Sequence, residues 1–97
     1  MNWEQKFQAL MAICPEVSLK MRKPGDWFVS IPWVSRREGS VLSSGCDSAK
    51  SPEEAVAQRF EWATNPKFYL VTTVNSCRRA VKWNGFMWAD VDETVAV

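Results

Sequence analysis

The chain has 97 residues, of which 46% are hydrophobic and 24% charged, with a net charge of +1; that balance argues for one globular domain over residues 1–97 and against a disordered chain. There is no histidine, and Cys14, Cys46 and Cys77 form no C-x-x-C pair, which argues against a zinc site or a disulfide framework. No apolar run approaches the ~20 residues of a membrane span, and residues 1–15 lack a basic start followed by an apolar stretch, so the expected setting is cytoplasmic, with no membrane partner.

Residues 2–14 read as a helix. Trp3, Phe7, Leu10, Met11 and Cys14 recur at helical spacing and draw one apolar stripe, and Pro15 follows its end. Ser18–Lys23 and Trp27–Val34 are strand-like and flank Pro24-Gly25. A two-residue loop would set Arg22 beside Trp27 and Lys20 beside Val29. A three-residue loop, Pro24-Gly25-Asp26, gathers Leu19, Met21, Trp27, Val29, Ile31 and Trp33 on one face, and is the expected register because it gives the ribbon one apolar side. Pro32 marks this strand as an edge or a bulge. A third strand is expected around Gly39–Cys46.

The second helix, 51–64, has the clearest start in the chain. Ser51 is an N-cap, Pro52 occupies the first helical position, Glu54 completes an S-x-x-E capping box and Glu53 complements the dipole. Val56, Phe60 and Ala63 make its inner stripe, with Ala55, Arg59 and Trp62 alongside, and Asn65-Pro66 closes it. Phe68–Asn75 then alternates as a strand. Cys77–Trp83 and Phe86–Asp92 form a terminal hairpin turning at Asn84-Gly85, since Asn-Gly tolerates the positive φ of a type I′ turn. That turn pairs Trp83 with Phe86, Val81 with Trp88 and Arg79 with Asp90.

The expected fold is therefore α+β: two helices packed on an antiparallel sheet, in the order αβββαβββ. The chain carries six Trp, five Phe and one Tyr. A chain of this size buries only about two-thirds of its unfolded surface, so aromatics in excess of the core are candidates for contact with a partner. A core supplied by Trp3, Phe7, Trp27, Trp33 and Phe60 leaves Trp83, Phe86 and Trp88 as the aromatic binding candidates.

Chemistry is otherwise sparse. Cys, Lys and carboxylates form no cluster that catalysis would need. Asp90, Asp92 and Glu93 read as a solvated strand end rather than a cation loop, and no two glycines have phosphate-loop spacing. The expectation is a protein without enzymatic activity, cofactor or metal. Charge is polarised: residues 17–37 hold Lys20, Arg22, Lys23, Arg36 and Arg37 against Asp26, and residues 76–85 hold Arg78, Arg79 and Lys82 with no acid. Two readings use these residues. A protein partner would be met by Trp83, Phe86 and Trp88, since Trp, Tyr and Arg dominate interface energetics. Nucleic acid would be met by a basic sheet face carrying Arg22, Arg78, Arg79 and Lys82 with exposed aromatics, although Asp90 can neutralise Arg79 across the hairpin.

"SPEEAV" (Ser51–Val56) followed by "RRAVKWNGFMWADV" (Arg78–Val91) resembles small proteins of tailed bacteriophages and prophages. In these, a W-x-x-K-x-x-A-L helix, an MR-x-PGDW hairpin, a TPEEAV helix start and an RRAVRWNGFMW ending follow in that order. The likeness extends through Trp3–Leu10 and Met21–Trp27; Ser51 stands in place of Thr and Lys82 in place of Arg, changes that keep the cap and the charge. More loosely, "WFVSIPWV" with "SPEEAV" is similar to the strand-to-helix region of HicB-like antitoxin domains. The phage resemblance implies an accessory protein in the host cytoplasm that binds a host or phage protein stoichiometrically, as inhibitors of host defence such as anti-CRISPR proteins do.

Overall fold

Local chemistry at the two helix starts sets the frame. The computed structural model describes residues 1–37 and 49–92. Helix α1 (Trp3–Ile13) begins at Asn2, whose Oδ1 accepts from the Gln5 N–H at 2.8 Å while the Asn2 N–H donates to Gln5 Oε1 at 3.0 Å. This reciprocal capping box satisfies two amides that the helix leaves unpaired. Helix α2 (Pro52–Ala63) starts as its sequence indicates: Ser51 Oγ accepts from the Glu54 N–H at 3.2 Å and Pro52 opens the helix. The Glu54 carboxylate takes the N–H of Lys50, at 3.4 Å, and not that of Ser51, so the expected box closes one residue earlier.

Among the described residues the strands divide into two antiparallel sheets instead of one. Strands β1 (Ser18–Lys23) and β2 (Asp26–Ser30) form a two-stranded ribbon; β3 (Val34–Arg37), β4 (Tyr69–Val74), β5 (Cys77–Trp83) and β6 (Trp88–Asp90) form a four-stranded sheet in that order. The element order is αβββαβββ. The single strand expected over Trp27–Val34 is broken by a turn at Pro32-Trp33, where Trp33 takes φ +64°. The chain there leaves the ribbon and enters the sheet as β3, and the alternation restarts. Trp33 is consequently 70% exposed, a correction to its expected place in the core. The strand expected around Gly39–Cys46 lies outside the described residues.

The first hairpin takes the turn of the two-residue loop and, beyond it, keeps the one-faced apolar grouping expected of the three-residue loop, but with partners displaced by two, since that loop would pair Met21 with Val29 and Leu19 with Ile31. Lys23 pairs with Asp26 across a two-residue Pro24-Gly25 turn, but Met21 pairs with Trp27 and Leu19 with Val29, because Arg22 is an extra residue in a β-bulge. The bulge restores the apolar pairing that a two-residue loop alone would destroy. Ala49 then bonds Trp27 through both backbone groups, at 2.8 and 3.0 Å, which ties the approach to α2 to the ribbon.

Between β4 and β5 the turn is Asn75-Ser76, with φ +52° and +65° and Val74 paired to Cys77, the positive φ at both positions that a type I′ turn requires. The two-residue primed turn expected at Asn84-Gly85 therefore occurs here. Aliphatic side chains make the centre of the core: Leu10, Val29, Val56, Leu70 and Val81 are fully buried, and Trp3, Phe7 and Trp27 pack around them. Met11, expected on the inner stripe of α1, is exposed, and Ile13 is buried in its stead.

Ser51→Ala is expected to lower stability by about 1 kcal/mol through loss of the cap, read from denaturant unfolding. Ser76→Gly should raise it by about 1 kcal/mol, because a left-handed backbone costs a residue with a Cβ roughly that much; an unchanged or lower midpoint would contradict the turn geometry.

Candidate functional site

The terminal hairpin is positioned by its tryptophans. Trp83 pairs with Trp88, Lys82 with Ala89 and Val81 with Asp90, so the connection is the four-residue loop Asn84–Met87. The expected pairings of Trp83 with Phe86 and Val81 with Trp88 are displaced by two residues. A shift of two keeps every side chain on its predicted face but removes Phe86 from the ladder. Asn84 closes the loop, its Oδ1 accepting from the N–H groups of Phe86 and Met87, both at 2.9 Å, while its own N–H donates to the Met87 carbonyl at 3.1 Å. Gly85 supplies φ +105°, a value open to glycine and hardly to other residues.

Trp88 is 9% exposed and points inward, where its indole N–H donates to the carbonyl of Ala9 in α1 at 2.8 Å. Its ring meets Trp83 edge-on at 5.1 Å and 66°, and Trp83 meets Phe60 of α2 at 5.4 Å and 79°. Such T-shaped pairs each add about 0.5–1.5 kcal/mol beyond the area they bury. The three rings therefore clasp the hairpin to both helices. Trp88 is thus chiefly an anchor, although it also lines the cleft beside the hairpin. Trp83 is only partly buried, and Phe86 is 90% exposed.

A cleft of about 560 Å³ opens between α1 and this hairpin. Trp83, Phe86 and Met87 line one side, Met1, Ala9 and Ala12 the other, with Gln5, Gln8 and Arg79 as polar lining. Met1 and Met87 are 63% and 62% exposed. Contiguous exposed apolar side chains with a polar surround mark an interaction surface. Sequence alone does not point to Met1 or Met87: a regular strand from Phe86 would turn Met87 to the face opposite Trp83, and Met1 reaches the cleft only through the docking of α1.

The basic candidates separate into three places. Arg22 sits at the bulge of the ribbon, bonded to Asp26 at 3.1 Å and lying 4.9 Å from the Phe28 ring centre. Arg79 pairs with Asp90 at 2.6 Å on the cleft side, as expected from sequence, although diagonally across the ladder. Arg78 and Lys82 point to the opposite face of the sheet. Another cation cluster lies along α2, where Arg36 and Arg59 both contact the Trp62 ring, at 5.3 and 4.9 Å, and Arg36 also covers Phe68 at 4.5 Å. Burial pushes the Arg36 guanidinium down from its ordinary value.

A second cleft, of about 370 Å³, is bordered by Cys14, Glu16, Trp33 and the Asn75-Ser76 turn. Burial, above all, pushes the Cys14 thiol up, the wrong direction for a thiolate nucleophile. Among the described residues no group of three His, Cys, Asp or Glu side chains is placed to hold a metal, and no helix is long and apolar enough to cross a membrane.

Trp88→Ala is expected to cost about 3–5 kcal/mol of stability, the usual range for deleting a buried tryptophan, whereas Phe86→Ala should stay within about 0.5 kcal/mol of the parent. Equal effects of the two substitutions on the unfolding midpoint would contradict the division into anchor and exposed tip. None of the protein-family models, curated proteins or solved structures compared with the chain matches it.

Proposed function

We propose that this chain is a phage-type accessory protein that binds another protein stoichiometrically, through the cleft between α1 and the terminal hairpin, and that its partner is a host factor, with host defence as the leading class. The observation that carries this reading is the presentation of Phe86: a ring 90% exposed on a loop closed by Asn84 and secured from below by Trp83 and Trp88. An aromatic held rigidly before binding loses little freedom on association, so more of its burial is retained as affinity. Phe and Met are enriched in interface centres, and here Phe86 and Met87 project beside Met1 and the partly buried Trp83.

The phage attribution is supported by the "RRAVKWNGFMWADV" resemblance. Those residues span Arg78–Trp83 of β5, the loop and β6, so the distinctive segment of the sequence also forms the hairpin wall of the cleft.

A photo-crosslinking residue in place of Met87 identifies a partner from bacterial lysate, and calorimetric titration of that purified partner then tests the site. One-to-one binding is expected, with Phe86→Ala weakening it by about 2 kcal/mol, roughly 30-fold, and with little change when salt is raised. Binding unaffected by Phe86→Ala and Met87→Ala would overturn the assignment. A dimer that Phe86→Ala dissociates would assign the cleft to a second copy of the chain.

A further inference from the structure

The two faces of the four-stranded sheet differ in kind. Leu70, Val81 and Trp88 point to the side where they cluster with Leu10 and Val56 of the helices. By alternation and register, the other face carries Ser35 and Arg37 of β3, Tyr69, Val71 and Thr73 of β4, Arg78, Ala80 and Lys82 of β5, and Ala89 of β6. The strand residues of this face include three cations and no carboxylate, although the chain as a whole is close to neutral.

Within it, Arg37, Tyr69 and Lys82 stand in one cross-strand row, because Arg37 pairs with Tyr69 and the β4–β5 register places Tyr69 opposite Lys82. Neighbouring strands are about 4.8 Å apart, so the two cations straddle the ring at a separation of about 10 Å, and Arg78 lies some 13 Å further along β5. Arg37, Arg78 and Lys82 are exposed, Tyr69 is half-buried, and the short side chains of Val71 and Ala80 form a buried floor between them.

We infer that this outer sheet face binds single-stranded nucleic acid, with Arg37, Lys82 and Arg78 meeting phosphates and the Tyr69 ring taking a base. Cations spaced along a flat surface follow a flexible phosphate backbone, and a tyrosine among them offers a stacking platform that any base can use. A duplex keeps its bases stacked on one another, and reading it takes a helix or ribbon inserted into a groove, which the face of a four-stranded sheet does not supply. This surface lies on the opposite side of the sheet from the Phe86 cleft, so the two assignments stand or fall separately.

The test is fluorescence anisotropy of labelled single-stranded DNA, single-stranded RNA and blunt duplex DNA titrated with the intact protein across a range of salt concentrations. A single strand, of either sugar, is expected to bind more tightly than duplex. Three phosphate contacts predict a log–log salt slope of roughly −2, so a fourfold rise in salt weakens binding about 20-fold. Arg37→Ala and Lys82→Ala should each make the slope shallower by about 0.7. Tyr69→Ala should weaken binding roughly tenfold and Tyr69→Phe should restore it, since stacking needs the ring alone. Phe86→Ala should have no effect. Absence of binding, equal affinity for duplex, or a slope untouched by Arg37→Ala and Lys82→Ala would overturn the inference. Competition by poly-glutamate as effective as that by an unlabelled oligonucleotide would also overturn it, and would assign the face to an acidic protein.

Discussion

One hydrogen bond and the rings around it decide where the end of the chain goes. The Trp88 indole N–H meets the Ala9 carbonyl across 79 residues of sequence, inside a contact of Trp88, Trp83 and Phe60 that touches both helices. An indole buried without a partner for its N–H forfeits a hydrogen bond and bears the desolvation cost, so this contact fixes the depth and rotation of the last hairpin together. Everything that distinguishes the sheet's two faces follows. With Trp83 and Trp88 inward, Lys82 and Arg78 must face outward by alternation, and the loop between the tryptophans must carry Phe86 into solvent.

The same contact explains how an aromatic-rich ending serves stability and recognition at once. Its rings are not interchangeable. Trp88 is mostly buried with its indole N–H bonded to α1, Trp83 is shared between core and cleft, and Phe86 is free of the ladder. A rigid base beneath an exposed ring is what turns an apolar side chain from an aggregation hazard into an ordered binding element.

What the sequence made legible was local. The start of α2 is written in Ser51-Pro52 and the two glutamates after it, because capping is decided by residues within one turn. The faces of both hairpins were legible from alternation, which survives a bulge at Arg22 and a two-residue shift at Asn84. Loop lengths were not. Asn84-Gly85 carries the strongest short turn signal in the chain, yet a four-residue loop wins because it brings Trp88 opposite Trp83 and onto Ala9, a gain set by residues far away. Similarly, Pro32 signalled an interruption, but that the chain changes sheets there depends on Val34 and Arg36 finding partners in β4. The cleft was half legible: its hairpin wall is a compact motif, while Met1, Ala9 and Ala12 join it only through tertiary packing.

If the Trp88 clasp organises the fold, its indole proton must be shielded. Hydrogen exchange of the tryptophan indole N–H groups, followed by NMR and assigned with Trp88→Phe and Trp33→Phe, measures this directly. The account predicts that the Trp88 indole exchanges as slowly as the backbone amides of β5, while the indole of the exposed Trp33 exchanges within the dead time. A Trp88 indole that exchanges as fast as that of Trp33 would contradict it.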